Sequence, residues 1–174
     1  YTAEALIKSG VDCEVDIVER LPAPHGLIRY GVAPDHQTTK NVSRSFDKTA
    51  AAAQVRYFGN VEVGRDVSLD QLKGLYDAVV LAVGSPFDRK LGLPGEDKAG
   101  VFGAAEFVGW YNGHPDFRNL NPKLDTEAAA VVGVGNVAVD IARVLVKTRA
   151  ELASSDIAAY ADDAIQAAPI NDVY

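Results

Sequence analysis

Residues 131–138 read Val-Val-Gly-Val-Gly-Asn-Val-Ala, and no other stretch of the chain limits its fold as tightly. The pattern is G-x-G-x-x-G/A. Gly133 permits a tight turn, Gly135 has no Cβ and lets backbone approach a pyrophosphate, and Ala138 is small enough for a helix to pack on the preceding strand. The first turn of such a helix offers free N–H groups and partial positive charge to phosphates. A small glycine turn alone also serves mere packing, so its context decides. Here a strand is expected over 128–132 and a helix over 137–149, the strand–turn–helix setting the pattern requires. The residue reading a bound ribose is expected about 20 positions further on, on a strand beginning at 171–174. These residues therefore do not choose between NAD and NADP.

The rest of the chain alternates in the same way. Ala3, Leu6 and Ile7 stand at helical spacing before Gly10, a natural helix stop. Residues 13–19 alternate and end in a β-branched run, a strand closing at Glu19. Three prolines and two glycines make 20–36 a loop. A helix is expected over 38–54, then extended segments over 55–63 around a Gly59-Asn60 hairpin turn. Ser68 is the expected N-cap of a short helix over 69–75. Residues 77–84 are almost continuously apolar, which suits a parallel strand buried on both faces. A loop over 85–103, a helix over 104–111, a polar linker over 114–127 and a helix over 157–168 complete the pass. Strands alternating with helices imply an α/β fold with parallel sheets.

Composition narrows the partners. Lys and Arg number 17 against 24 Asp and Glu, a formal charge of −7, so the basic footprint that nucleic acid requires is missing and no nucleic-acid partner is expected. No apolar run approaches the roughly 18 residues that span a bilayer, so no transmembrane segment is expected, and the start has no signal-peptide pattern. The one cysteine, Cys13, reads as a small buried apolar residue. Without Cys-x-x-Cys, a dithiol beside a flavin is not expected. No His/Cys cluster has metal spacing, so no metal is expected. The chain has no methionine and opens on an uncapped helix, so it is expected to be processed or part of a longer sequence.

Glu19 ends its strand after a helix. In a first dinucleotide fold an acidic residue there accepts hydrogen bonds from an adenosine ribose; the bland alternative is a solvated glutamate at a strand end. A G-x-G-x-x-G just before Tyr1 would set Glu19 at the expected spacing.

Three segments carry a resemblance through essentially the whole chain: residues 27–36 (Leu-Ile-Arg-Tyr-Gly-Val-Ala-Pro-Asp-His), 109–115 (Gly-Trp-Tyr-Asn-Gly-His-Pro) and 135–143 (Gly-Asn-Val-Ala-Val-Asp-Ile-Ala-Arg). They resemble the adrenodoxin reductase-type ferredoxin–NADP(+) reductases, and the two loop motifs are far more specific than the glycine turn. The resemblance implies two dinucleotide-binding, Rossmann-like parallel-sheet domains, both incomplete in this chain. Residues 1–113 would be part of an FAD-binding domain lacking its first strand and Gly-rich turn, 114–127 a linker, and 128–174 the start of an NADP-binding domain.

The same resemblance implies site residues. Glu19 matches the FAD ribose ligand, and Leu27, in Pro-x-Gly-Leu, and Val63 match positions contacting FAD. Gly133, Val134, Gly135, Asn136 and Val137 match the NADPH pyrophosphate turn. Val134 departs from the Asn or Gln of the family, which removes a side-chain contact and leaves the backbone N–H groups. His36 falls in a loop expected near the flavin. Its sharp reading is positioning or proton handling at the ring, its bland one a loop histidine bonded to backbone. Asp140 and Arg143 could meet at i,i+3 spacing, with no catalytic role assigned.

The implied activity is that of a flavoprotein oxidoreductase, with FAD and NADP as cofactors. Hydride would pass from NADPH to FAD, and single electrons then to a ferredoxin-like iron–sulfur protein. Two rivals stand beside it: a non-catalytic nucleotide-binding redox-sensing module, and an electron-input subunit similar to the glutamate synthase small subunit. The expected compartment is the cytoplasm, with the mitochondrial matrix as the alternative. These 174 residues by themselves are expected to bind FAD poorly and not to turn over.

Overall fold

The structure, a computed structural model, describes residues 1–85 and 87–174. In chain order its elements are α1 (Thr2–Ser9), β1 (Val15–Val18), α2 (Gly26–Tyr30), α3 (Gln37–Lys40), α4 (Ser43–Ala50), β2 (Val55–Phe58) and α5 (Leu69–Leu75). There follow α6 (Ala104–Tyr111), a 3-10 turn (Pro115–Phe117), β3 (Ala128–Ala129), α7 (Asn136–Val146), α8 (Arg149–Leu152), α9 (Ala159–Ala167) and β4 (Asp172–Val173). Helices and parallel strand pairs alternate, the α/β arrangement the sequence implies. Contacts divide the chain into two compact units: Tyr1–Ile28 with Asn41–Gly84, and Arg29–Lys40 with Ser85–Tyr174. This grouping cuts the chain at other points than 113 and 127, and it assigns the loop carrying His36 to the unit that also carries the glycine turn.

In the first unit β1 and β2 pair in parallel, from Val15 against Val55 to Val18 against Phe58. Asp16 and Arg56 face each other in that register, with Arg56 Nε and Nη2 on the two Asp16 oxygens at 2.7 and 3.0 Å. The Tyr76 hydroxyl also donates to Asp16. Arg56 and Tyr76 together hold the Asp16 carboxyl below its usual range. Ser68 caps α5 as its sequence predicts, receiving the Gln71 amide at 3.1 Å while the Gln71 side chain accepts from the Ser68 amide at 2.8 Å.

Three expectations fail along these residues. Gly59-Asn60 is not a hairpin turn. After β2 the chain runs on beside the end of β1, with the Asn60 and Val61 amides donating to Leu21 O and Glu19 O at 3.1 and 3.0 Å. Gly59 is required by crowding there, since a Cβ would lie 2.9 Å from Pro22 O. The strand expected over 77–84 does not form, and Val80, Leu81 and Val83 are 63, 66 and 84% exposed. Apolar sequence makes burial favourable, but a ladder also needs a neighbour whose backbone groups complete it, and among the described residues none runs beside this segment. The expected helix over 38–54 is also interrupted, giving α3 and α4.

The second unit is built on α6, α7 and α9. Phe107, Trp110, Tyr111, Val144, Ala161 and Ile165 are its buried centre. Each large apolar side chain there contributes about 2 kcal/mol by leaving water. Asp88 caps α6, accepting from the Ala105 and Glu106 amides at 2.7 and 3.2 Å. Gly109 lets the 3-10 turn approach, since a Cβ there would lie 2.3 Å from the Phe117 ring. β3 and β4 pair in parallel, Ala128 against Asp172, and the Val131 amide extends the contact to Tyr174 O at 2.7 Å. The strand expected over 128–132 is thus shorter. The helix expected over 137–149 breaks at Lys147, because Thr148 starts α8 with its own capping box to Glu151.

Several contacts hold the 29–40 loop within this unit. The Asn112 amide donates to Tyr30 O at 3.3 Å, and Tyr30 and His114 meet edge to face at 4.9 Å. Lys40, buried although charged, puts Nζ on both oxygens of Asp156 at 2.6 and 2.8 Å. The Asp156 amide returns a bond to Pro34 O at 3.1 Å.

Candidate functional site

Gly133 has φ of 146°, a conformation open mainly to glycine. A Cβ there would stand 3.3 Å from the Ala138 methyl, so the first and last positions of the pattern meet as close packing demands. Gly135 is the N-cap of α7 and has nothing within 4 Å of where its Cβ would be. No side chain caps the helix. The amides of Asn136, Val137 and Ala138 belong to its first turn and have no intrahelical acceptor. Val134 is fully exposed. The turn is therefore a cradle of backbone donors with open space at the glycine, and it fits a diphosphate.

One turn into α7 lies the most heavily paired group of this unit. Asp140 Oδ1 accepts from Arg143 Nη2 at 2.8 Å, the i,i+3 pair its spacing allows. The same Nη2 stands 2.9 Å from His36 Nε2. Arg143 Nη1 donates to Asp35 Oδ2, and Lys147 Nζ reaches that oxygen at 2.5 Å. Burial alone would raise the Asp35 carboxyl, but the bonds from Lys147 and Arg143 outweigh it and hold the group below its usual range. Burial likewise works to lower Arg143, and its two carboxylates more than offset that. Asp35 Oδ1 and the Tyr111 hydroxyl are buried without a hydrogen-bond partner. Tyr111 is pushed up by that burial, reinforced by the Asp140 carboxylate.

The candidate FAD positions fall in the first unit. Glu19 follows β1, and its Oε1 accepts from the Leu21 amide at 2.9 Å. Leu27 sits in α2 directly after His25 and Gly26, both at positive φ (86° and 43°), and is 77% exposed. Val63 lies in a tight turn closed by the Gly64 amide on Val67 O at 2.7 Å. His36 belongs to the same unit as the glycine turn, with its Nε2 2.9 Å from Arg143 Nη2 of α7. Among the described residues, no group of three or more His, Cys, Asp and Glu could hold a metal ion, and no helix is long and apolar enough to cross a membrane. Cys13 is a half-buried free thiol.

Sequence reasoning assigned Asp35 and Lys147 nothing and gave Arg143 only its partner on the helix. A signal was present: Arg143 and Lys147 stand at i,i+4, so two cations share one helical face. The acidic loop residue that answers them lies 108 positions earlier than Arg143, a distance no local pattern spans.

The chain matches the family described as pyridine nucleotide-disulphide oxidoreductase over residues 17–167. It is 47% identical over its whole length to NADPH:adrenodoxin oxidoreductase, mitochondrial, of Arabidopsis thaliana, covering 36% of that protein. It is 44% identical, again over its whole length, to the Bos taurus protein of the same name, covering 35% of it. The structure of FprA from Mycobacterium tuberculosis in complex with NADPH superposes with a TM-score of 0.95, at 45% identity, over 98% of this chain and 39% of that one. The chain thus spans little more than a third of the length of the relatives it matches.

Proposed function

The chain belongs to the pyridine nucleotide-disulphide oxidoreductase family, and from that premise we propose that it is part of an NADPH-dependent flavoprotein reductase serving a ferredoxin-like iron–sulfur protein. One observation carries the reading. The turn over 133–138 pairs a glycine at φ 146° with a close Ala138 and leaves open space at Gly135, in a chain 45% identical throughout to a protein solved with NADPH. The family label names disulphide chemistry, but with Cys13 as its one cysteine this chain holds no dithiol, which favours an iron–sulfur acceptor.

In this reading residues 1–113 serve FAD and 128–174 serve NADPH, joined by 114–127. Glu19 holds the FAD ribose, and Leu27 and Val63 contact the flavin nucleotide. Gly133, Val134, Gly135, Asn136 and Val137 present amides to the NADPH diphosphate, with the α7 dipole adding positive potential. His36 positions the ring or handles a proton beside it. When bound, the two cofactors supply hydride transfer and its division into single electrons. The chain's own residues bind and orient them. The reading assigns the protein to the cytoplasm, with the mitochondrial matrix as alternative; the plant and bovine relatives are named as mitochondrial, which favours the alternative.

The test is NADPH-dependent dye reduction by the complete protein carrying FAD. Turnover that rises further when a ferredoxin is supplied as acceptor supports the reading. Tight nucleotide binding with only background dye reduction would favour the sensing module instead.

A further inference from the structure

His25 is held in a backbone conformation that a side chain makes unfavourable. Its φ is 86°, and Gly26 follows at 43°. Glycine enters this region freely, whereas a residue with a Cβ persists there only where its surroundings over-determine it. For His25 they act through the ring. Nε2 stands 3.0 Å from Asp47 Oδ1 of α4, and a carboxylate offers only acceptors, so Nε2–H faces it. The ring also packs on Phe46 at 6.1 Å between centroids, and Tyr1 meets Phe46 edge to face at 5.1 Å. The His25 side chain is 13% exposed, its Asp47 partner 64%. All of these residues lie in the first unit. The backbone of His25 is engaged as well: its carbonyl accepts the Ile28 amide at 2.9 Å, closing the turn that opens α2. That turn carries Leu27, which is left largely exposed.

We propose that His25 is a positioning residue for flavin binding: anchored on Asp47 and Phe46, it fixes the 25–28 turn so that Leu27 is in place for the FAD nucleotide. A turn without that anchor would have to be ordered when the cofactor arrives, at the expense of affinity. A glycine at 25 would remove the backbone strain, so the strain accompanies a side chain that grips α4. The proposal rests on the reading of Leu27 as an FAD contact given above; the anchor does not.

The test is FAD titration of the complete apoprotein by quenching of flavin fluorescence, beside thermal unfolding of the same apoprotein. His25→Gly should weaken FAD binding about tenfold, the scale of one anchoring bond. Its melting temperature should stay within about 3 °C of wild type, because relief of the backbone offsets the lost contacts. Asp47→Ala should weaken FAD at least about threefold, and the double variant should bind no more weakly than His25→Gly, since both remove one anchor. His25→Gln, whose amide N–H replaces Nε2–H, should bind within about threefold of wild type. Wild-type affinity in His25→Gly, additive losses in the double variant, or a His25→Gln as weak as His25→Gly would overturn the proposal. So would an affinity loss matched by a fall in melting temperature, the mark of a merely structural role. Where His25→Gly fails to fold by circular dichroism, Asp47→Ala and His25→Gln decide. A wild-type protein that takes up no FAD would remove the reading of Leu27 and the proposal with it; tight FAD binding that none of these variants alters would remove the proposal alone.

Discussion

Arg143 and Asp35, 108 positions apart, share a charge-assisted hydrogen bond that ties the 29–40 loop to the helix opened by the glycine turn. The Asp35 side chain is 9% exposed and faces two cations, Arg143 and Lys147. Structure here follows from electrostatics more than from apolar packing, since a carboxylate so buried is tolerated only when paired.

Asp35→Asn should therefore destabilise the protein by about 3 kcal/mol, the scale for removing one partner of a buried pair. The amide would take from Lys147 the carboxylate it bonds and leave Arg143 with Asp140 alone. Denaturant unfolding followed by circular dichroism measures it. A change within about 0.5 kcal/mol would mean that the pair is only a surface contact.

The pH dependence of that contribution has a definite sign. The Asp35 carboxyl titrates below its usual range when folded and near about 3.9 when unfolded. Its stabilisation is complete above the unfolded value and is lost as pH falls through the folded one. The stability gap between wild type and Asp35→Asn should stay level at neutral pH and close below about pH 4. A gap that widens on acidification would contradict the assignment.

Gly135→Val and Gly133→Ala should separate binding from folding. With nothing within 4 Å of Gly135 and extended backbone there (φ −82°), valine should leave stability within about 0.5 kcal/mol. It should nevertheless weaken NADPH binding at least about tenfold by blocking backbone approach. Gly133→Ala should cost about 1–3 kcal/mol as well, because its φ of 146° strains any side chain. Isothermal titration and thermal melting of the complete protein read both effects. Undiminished affinity in Gly135→Val would remove the turn from the binding site.

Gly109→Ala should cost about 1–3 kcal/mol through overpacking against the Phe117 ring, 2.3 Å from the added carbon. Adding Phe117→Leu should recover part of that loss, a coupling that a double-mutant cycle measures. Strict additivity would show that the two do not touch.

What the sequence made legible is what local chemistry decides. Ser68 marked the start of α5, Gly10 marked the end of α1, and Gly133, Gly135 and Ala138 marked a strand–turn–helix. The misreadings at Gly59-Asn60 and over 77–84 share a cause. Each depended on which backbone lay alongside, and a one-dimensional pattern does not name the neighbour. The same holds for the site. Asp140 and Arg143 were visible as a helical pair, whereas Asp35, His36 and Lys40 reach their partners across more than 100 positions.

The central claim, that the turn over 133–138 serves a pyridine nucleotide beside a flavin held by the preceding residues, is tested most directly by anaerobic titration of the complete, natively purified protein with NADPH. The account predicts a yellow protein whose visible flavin absorbance bleaches stoichiometrically, and a Gly135→Val variant that stays yellow yet bleaches only at much higher NADPH. A colourless protein, or a yellow one indifferent to NADPH, would contradict it.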